Sequence, residues 1–181
     1  MMVAELSRAN RRQYTMIRQA TPGDAEGICE IYNHYVVNTT ITFEEDPVMP
    51  SAMALRIENV NAQHCWFVFE QDGAIAGYAY ATPWRVRAAY RHSVETTVYI
   101  QPGAGGKGIG TALYTHLIVQ LRKRGIRAVI GGISLPNNAS IALHERMGFT
   151  QVAHFADVGH KFGKWIDVGY WELVLKELPQ S

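Results

Sequence analysis

The sequence predicts an α+β domain in which a mixed sheet is flanked by helices. The predicted elements follow the order β-α-α-β-β-β-α-β-α-β-β, and residues 94–113 combine an alternating strand, a glycine-rich turn and the start of a helix. The 181 residues, 48% of them apolar, suit one domain of ordinary core size. Residues 15–178 are expected to form that domain, and residues 1–14, which show no clear apolar period, are interpreted as a flexible leader.

The first half of the chain predicts a strand, two helices and a β-hairpin. A strand is expected at 15–20, and Asp24 is the expected N-cap of the first helix. Strands at 65–70 and 74–83 flank Asp72-Gly73, a strong hairpin signal. Apolar residues at helical spacing mark the two helices: Ile28, Ile31, Tyr32 and Tyr35 in the first, and Met53, Leu55, Ile57 and Val60 in the second.

The second half predicts two further helices and four strands. The strand at 94–100 places Glu95, Thr97 and Tyr99 on one face, opposite Val94, Thr96, Val98 and Ile100. Strands are also expected at 126–134, 150–158 and 165–175. The longer helix carries Ile109, Leu113, Leu117 and Leu121 and stops at Gly125, and the shorter carries Ile141, Leu143 and Met147 and stops at Gly148.

Composition excludes several classes of function. The net charge of +1 argues against a general nucleic-acid or membrane-surface binder, and the basic run 122–124 is explained as a helix C-terminus. Cys29 and Cys65 have no metal-ligand spacing, so no metal is expected and a reducing, cytoplasmic location is favoured. No run of about 18 apolar residues predicts a membrane helix.

The glycine-rich turn predicts a phosphate site, because exposed backbone N–H groups and a helix N-terminus attract anions. Gly103, Gly105 and Gly108 satisfy GxGxxG, but a dinucleotide fold needs an early βαβ unit and a later acid, which this context lacks. A P-loop needs Ser or Thr after its lysine, whereas Gly108 follows Lys107. A merely flexible hairpin does not explain glycines that continue into a helix.

Two motifs resemble the GNAT N-acetyltransferase superfamily. Gly108-Ile109-Gly110 fits the core of Gln/Arg-x-x-Gly-x-Gly/Ala, with Gly105 at the Gln/Arg position. The second motif, Asn-x-x-Ser-x-x-Leu-(Tyr/His)-Glu-x-x-Gly-Phe, is matched in full by Asn137, Ser140, Leu143, His144, Glu145, Gly148 and Phe149. Segments 31–35, 42–44, 83–90, 94–99 and 159–168 are similar to the branch that acetylates phosphinothricin and methionine sulfoximine or sulfone.

The resemblance implies the three-layer GNAT acyl-CoA N-acyltransferase fold, acetyl-CoA as cosubstrate and a homodimer. It places the coenzyme on the turn and on the neighbouring strand and helix. The residues so implied are Val98, Tyr99, Ile100, Gly105, Gly106, Lys107, Gly108, Ile109, Gly110, Thr111, Asn137 and Ser140.

Acetyl transfer to an amine requires a base, because an amine near its reference pKa is mostly ammonium at neutral pH. Glu95 matches the catalytic glutamate of the branch and is the expected base, acting directly or through water. His144 is expected to protonate the leaving thiolate or, in a lesser role, to orient the reacting groups. A backbone N–H of residues 98–100 is expected to meet the oxyanion.

The acceptor is expected to be a small amino acid analogue held by an arginine clamp. Arg85, Arg87 and Tyr90 precede the catalytic strand, and guanidinium groups suit carboxylate or phosphinate. The resemblance adds Phe43, Glu44 and Thr97 beside the acceptor, with Lys161, Phe162 and Trp165 closing the pocket across a dimer interface. The rival hypotheses are a polyamine or protein N-terminus as acceptor, and a CoA-binding module without chemistry.

Overall fold

The computed structural model describes residues 15–175, which form a seven-stranded sheet with four α-helices. The strands are β1 (Thr15–Gln19), β2 (Trp66–Gln71), β3 (Ala74–Pro83), β4 (Ser93–Ile100), β5 (Ala128–Ser134), β6 (Thr150–Lys161) and β7 (Lys164–Val174). The helices are α1 (Ala25–Asn38), α2 (Pro50–Gln63), α3 (Ile109–Lys123) and α4 (Asn138–Arg146). The predicted order of strands and α-helices is confirmed.

The strands are arranged in the order β1-β2-β3-β4-β5-β7-β6. Among the seven described strands, only β4 and β5 run parallel, and every other neighbouring pair is antiparallel. Hydrophobic cores cover both faces of the sheet. One core packs α3 and α4 against the face that carries Val94 and Val98, and the other packs α1 and α2 against the face that carries Tyr99. The mixed, three-layer arrangement predicted from the sequence is therefore confirmed.

The central feature of the sheet is the separation of its two parallel strands. β4 and β5 pair only from Ser93 to Glu95, opposite Ala128 to Ile130. Beyond this point β4 continues to pair with β3 and β5 continues to pair with β7. The two strands therefore diverge towards their carboxyl ends, which opens a V-shaped gap directly after Glu95.

The loop between α1 and α2 is fixed to the rest of the domain by side chains. Asn33 donates from Nδ2 to the Val48 carbonyl at 2.9 Å, and its Oδ1 accepts from the Val48 N–H at 2.8 Å. Lys161, only 1% exposed, donates from Nζ to the carbonyls of Val36 and Thr42 at 2.6 and 2.8 Å. The end of β6 thus fastens a loop that precedes it by more than 100 residues.

The structure corrects three local predictions. Leu55 is 57% exposed, because the buried side of α2 runs through Met53 and Ile57, and a residue two positions from either points away. Asp24 stands at the N-cap of α1, but its carboxylate makes no cap bond there and instead pairs with Arg18 and accepts from Thr21 N–H at 2.7 Å. On α4, the buried side chain is that of His144, while the predicted apolar stripe is only half-buried.

Candidate active site

The glycine-rich turn lies between β4 and α3, at the mouth of the gap. Gly103, Gly106 and Gly108 adopt φ angles of 80°, 76° and 81°, a region that residues with side chains rarely occupy. A Cβ placed on any of them would meet no atom within 4 Å, so their outer surface is open. The first N–H groups of α3 lack intrahelical acceptors. The turn thus presents backbone donors and the positive end of a helix, which suit a phosphate.

Gly105 and Gly110 have different environments. Gly105 has no positive φ and lies in open space, so its conformation accepts other residues without strain. Gly110 faces α4, where a Cβ would lie 3.0 Å from Leu143 Cδ2. Gly110 therefore allows α3 and α4 to approach each other closely, in addition to its place in the first helical turn.

A polar cleft of about 100 Å³ lies in the gap between the diverging strands. Its walls come from both strands and from α3 and α4. The lining residues are Ile41, Thr96, Thr97, Val98, Tyr99, Tyr114, Gly132, Ile133, Ser134, Asn137, Ser140 and His144. Of the predicted site, the structure thus brings five coenzyme or acceptor residues together with His144.

Glu95 stands on β4 at its last paired position with β5. Its Oε1 lies 3.0 Å from where a Cβ on Gly132 would be, on the face of β5 opposite His144. Burial raises the pKa of Glu95, and the nearby Arg85 guanidinium opposes part of that increase. The site thus holds a partly desolvated carboxylate whose pKa is closer to neutrality than that of a solvated glutamate, which suits a general base.

His144 is 3% exposed and is held at both ring nitrogens. Nδ1 lies 2.8 Å from the Ser140 carbonyl, which can only accept, so Nδ1 carries a proton. Nε2 lies 3.0 Å from the Tyr114 hydroxyl and, in the neutral ring, accepts a hydrogen bond from it. Burial also lowers the pKa of His144, which favours the neutral form. This arrangement favours the orienting role of His144 over direct protonation of a thiolate.

Sequence reasoning missed the pair Gly131-Gly132 in β5. A Cβ on Gly131 would lie 2.3 Å from His144 Nε2, and one on Gly132 would lie 3.0 Å from Glu95 Oε1. Because successive strand residues face opposite sides of a sheet, Glu95 and His144 approach this pair from opposite faces. Two glycines inside an apolar strand are a known sign of close approach, and this signal was available in the sequence.

The predicted arginine clamp is only partly assembled around Glu95. The Arg85 guanidinium stacks on Trp84 at 4.1 Å from the ring centroid. It is close enough to Glu95 and Tyr170 to offset part of the rise that burial causes in the pKa of both. Arg85 also lines a groove of about 580 Å³ that it shares with Arg87 and Tyr90. Both arginines are exposed, and Tyr90 is 41% exposed. Arg85 therefore links this groove to the carboxylate.

The other predicted acceptor residues lie on the α1–α2 loop and on β4. Phe43 packs against β6, where a Cβ on Gly159 would lie 2.4 Å from its ring. Glu44 accepts from the Tyr32 hydroxyl at 3.0 Å and forms a two-bond ion pair with Arg56 at 2.7 and 3.1 Å. Thr97 lines the polar cleft. Phe43 and Glu44 are thus held by intramolecular contacts.

The remaining predicted residues have distinct surroundings. Asn137 caps α4 by accepting from the Ser140 N–H at 3.1 Å, and Lys107 is exposed at the glycine turn. Lys161 is buried by its bonds to backbone carbonyls of its own chain. Phe162 and Trp165 are 56% and 67% exposed. At the turn between β6 and β7, Lys161 is thus buried, whereas Phe162 and Trp165 are exposed and accessible to a partner subunit.

Neither metal clusters nor reactive thiols are seen in the described range. Between residues 15 and 175, no group of three or more His, Cys, Asp or Glu side chains is placed to hold a metal ion. Cys29 and Cys65 are buried free thiols, and burial raises the pKa of Cys65 to about 11 and raises that of Cys29 as well. None of the helices in this range is long and apolar enough to cross a membrane.

Comparison with known families gives one match over most of the chain. Residues 17–169 match the family described as "Acetyltransferase (GNAT) domain". A phosphinothricin N-acetyltransferase of Streptomyces viridochromogenes is 38% identical over 161 residues, 89% of this chain and 88% of the relative. An L-methionine sulfoximine/L-methionine sulfone acetyltransferase of Salmonella typhimurium is 36% identical over 162 residues, 89% of this chain and 95% of the relative.

Two similar solved structures have the same fold, and their descriptions name two different acceptors. A phosphinothricin acetyltransferase from Sinorhizobium meliloti in complex with AcCoA has a TM-score of 0.85 and 37% identity, covering 89% of this chain and 88% of the other. A ribosomal-protein-alanine N-acetyltransferase from Brucella melitensis has a TM-score of 0.86 and 37% identity, covering 88% and 99%.

Proposed function

The chain belongs to the GNAT acetyltransferase family, and we propose that it transfers acetyl from acetyl-CoA to the α-amine of phosphinothricin, methionine sulfoximine or methionine sulfone. The observation that carries this proposal is the half-buried Glu95, with its raised pKa, at the point where β4 and β5 separate. A base at that place can reach an amine brought into the gap.

The glycine-rich turn and the gap fit acetyl-CoA as the cosubstrate. Gly106 and Gly108 leave open space where side chains would stand, and the first N–H groups of α3 are free for a pyrophosphate. Beyond Glu95, the β5-facing edge of β4 has no strand partner within residues 15–175, so a backbone N–H of residues 98–100 is available to an oxyanion. Lys107 and Gly105 lie on the exposed side of the turn, where contacts to phosphate depend on the main chain.

Direct transfer from thioester to amine is the favoured mechanism. The alternative, an acetylated cysteine, requires a reactive thiolate, but both cysteines are buried with raised pKa values and neither lines the cleft. Glu95 accepts the ammonium proton, which frees the amine lone pair to attack. The same reduced thiols support the proposal of a cytoplasmic location.

The leaving thiolate needs a proton, and the pair Tyr114–His144 supports its delivery. Both side chains line the cleft, and the Tyr114 hydroxyl donates to His144 Nε2. In this proposal the C–S bond of the thioester breaks, the Tyr114 O–H gives its proton to the thiolate sulfur, and the tyrosinate regains a proton from water, while His144, neutral and fixed at Nδ1, orients the hydroxyl. The thiolate is therefore protonated on the sheet face opposite Glu95.

The acceptor is held by its carboxylate at Arg85, with Arg87 and Tyr90 extending the same groove. A second subunit completes this side of the domain in our proposal. Three apolar residues of β6 are exposed: Val152 by 56%, Phe155 by 50% and Val158 by 59%. Together with Arg85 they line a groove of about 490 Å³. An apolar area of this kind beside the acceptor groove suits a homodimer interface.

A protein N-terminus is the second candidate acceptor, supported by the similarity to the Brucella protein described above. The exposed Arg85 and Arg87 argue against a polyamine, because two cations would repel a third. Reversing both charges should raise the activity on a cationic acceptor and abolish that on amino acids. The half-buried, desolvated Glu95 argues against a module without chemistry.

The test is thiol release by purified protein with acetyl-CoA and a panel of amino acid analogues, N-terminal peptides and polyamines. We expect turnover with the analogues, and Glu95→Gln is expected to lower kcat by roughly 10²–10⁴-fold while leaving acetyl-CoA binding intact. The proposal is wrong if no analogue is acetylated, or if the glutamine variant turns over like the wild type.

A further inference from the structure

The loop that follows α1 forms one side of the polar cleft. We refer to residues 39–45 of this loop as the strap. Ile41 of the strap lines the cleft together with residues of β4, β5, α3 and α4, and it is 38% exposed. Thr42, the next residue, is 8% exposed. The strap thus brings an apolar side chain to a side of the cleft that the two diverging strands leave open.

The end of β6 holds the middle of the strap. Lys161 Nζ donates to the Thr42 carbonyl at 2.8 Å and to the carbonyl of Val36, in the last turn of α1, at 2.6 Å. The ring of Phe43 occupies the space where a Cβ on Gly159 would stand. Because a buried ammonium group is unfavourable unless it is hydrogen-bonded, Lys161 keeps its carbonyl partners in place. Two neighbouring residues of the strap are therefore fixed by two residues of β6.

The two ends of the loop are held independently of β6. At its start, Thr39 Oγ1 donates to the Tyr35 carbonyl at 2.8 Å, and the Tyr35 hydroxyl donates to the Ile100 carbonyl of β4 at 2.6 Å. Towards its end, Asn33 forms two bonds with the backbone of Val48. Loss of the contacts to β6 would therefore release the middle of the strap and leave both ends of the loop attached.

Other polar contacts reach the strap through its side chains. The Tyr32 hydroxyl lies 2.8 Å from Thr42 Oγ1, and the Glu44 carboxylate pairs with Arg56. Such pairs join rotatable groups, so they tolerate a shift of the backbone between them. The bond from Lys161 acts on the main chain itself, directly after Ile41. It is therefore the contact that sets where the strap lies against the cleft.

The position of the strap matters because water competes with the amine for the thioester. When water adds to the thioester carbon and the C–S bond breaks, the products are acetate and the free thiol of CoA. When the amine adds, the products are the amide and the same thiol. A side chain that keeps water out of the cleft favours transfer over hydrolysis.

We propose that Lys161 is a positioning residue for acetyl transfer: by holding the Thr42 backbone, it keeps Ile41 against the cleft and excludes water from the thioester. This inference rests on the use of acetyl-CoA proposed above. It gives Lys161 a role within its own chain, in addition to the expected place of this segment at a dimer interface. Water exclusion is thus assigned to a bond between the end of β6 and the strap.

Lys161→Met tests the proposal, because it removes the donors and keeps an unbranched side chain. We would measure thiol release from acetyl-CoA without an acceptor and divide it by the rate of methionine sulfone acetylation in the same preparation. This ratio does not depend on the fraction of protein that is folded. It should rise by roughly tenfold or more, the range for hydrogen bonds made by a charged donor. A lower activity with an unchanged ratio would show that Lys161 is merely structural and overturn the inference.

Lys164→Met is the matched control. Lys164 is exposed and lies directly opposite Lys161 in the pairing of β6 with β7, so the same substitution removes a cation from the same turn. Its ratio should stay at the wild-type value. An equal rise in both variants would assign the effect to the charge of the turn and overturn the role of the bonds to the strap.

Ile41→Ala provides a second route that leaves Lys161 intact and decides the matter if Lys161→Met does not fold. The ratio should rise by roughly threefold or more, because a partly buried side chain loses three carbons beside the cleft. An unchanged ratio in Ile41→Ala would overturn the inference. Failure of the wild type to acetylate any amine would instead contradict the proposed function, and acceptor-free thiol release by the variants would still test the strap.

Discussion

At the residue scale, the surroundings of Glu95 and His144 shift the pKa values of these two groups in opposite directions. Burial raises the pKa of the carboxyl group and lowers that of the imidazole, so each is shifted towards its neutral form. For Glu95 the nearby Arg85 opposes this rise in pKa and so favours the ionised form that acts as the base. For His144 the fixed proton on Nδ1 defines which nitrogen can accept.

Arg85→Ala tests the electrostatic coupling to Glu95. The guanidinium lowers the pKa of Glu95, so its removal should raise that pKa further. Because the base acts in its ionised form, the acid limb of the kcat/KM profile should move to higher pH. The measurement is kcat/KM against pH at subsaturating acceptor.

Arg87→Ala is the matched control for that change, since it removes a guanidinium from the same exposed segment. It is expected to weaken acceptor binding without moving the acid limb. An equal displacement of the limb in both variants, or none in Arg85→Ala, would show that Arg85 does not act on the base.

Gly131→Ala and Gly132→Ala form a paired test of the close approaches on β5. A Cβ on Gly131 would stand 2.3 Å from Nε2 of the tightly packed His144, so the ring must move and its bond to Tyr114 must break. We expect kcat to fall by about 10- to 100-fold, with stability lower by roughly 1–3 kcal/mol. Kinetics and thermal unfolding of the purified variants measure the two effects.

Gly132→Ala should cost less stability, because its nearest atoms, Glu95 Oε1 at 3.0 Å and Tyr170 Cε1 at 3.2 Å, need to give way by only a few tenths of an ångström. A loss of about 2- to 10-fold in kcat is expected, since the displaced carboxylate is the proposed base. If the two variants lost the same kcat and the same stability, the tight packing of His144 against β5 would not explain the loss of activity.

At the element scale, the glycine turn combines residues with different functions. Gly106 and Gly108 adopt positive φ angles that the turn requires, and Gly110 lets α3 approach Leu143 of α4. Gly105 has neither constraint, although the family motif has Gln or Arg at this position. The turn is therefore able to carry a side chain at Gly105 without strain.

Gly105→Arg should strengthen binding of acetyl-CoA. The site is open, and a cation beside the phosphate-binding N–H groups adds an exposed ion pair worth about 0.2–1 kcal/mol. The KM for acetyl-CoA should fall by about 1.5- to 5-fold at low ionic strength, and salt should reduce the gain. Gly105→Glu serves as the control and should raise the KM for acetyl-CoA. An unchanged KM in both variants would show that the phosphates lie away from Gly105.

At the scale of the whole molecule, the two ends of the sheet are covered unequally. Helices α1 and α2 cover the part formed by β2, β3 and β4, whereas Val152, Phe155 and Val158 of β6 remain exposed. The same region adjoins Arg85 and Tyr170, which are close to Glu95. A second copy covering this surface would therefore also border the acceptor site.

Phe155→Asp should disrupt the proposed homodimer. A charge placed in the centre of an apolar interface loses hydration on association, so the variant should be monomeric by light scattering at concentrations where the wild type is a dimer. Val119→Asp, at a 46% exposed apolar residue on α3, is the control and should keep the wild-type mass. A monomeric wild type, or a dimeric Phe155→Asp variant, would contradict the proposed interface.

The sequence by itself determined the order of the elements, the strand–turn–helix around Gly108 and the identity of Glu95 and His144 as candidates. The order and the turn depend on local periodicity and turn chemistry, which are readable along the chain, whereas the two candidates depend on the resemblance of their motifs to the GNAT family.

Only the tertiary structure decided how these parts form a site. The divergence of β4 from β5 after Glu95 and the opposite faces from which Glu95 and His144 approach Gly131-Gly132 both depend on contacts between distant segments. Strand pairing, burial and the protonation of His144 are properties of those contacts and leave no periodic trace in the sequence.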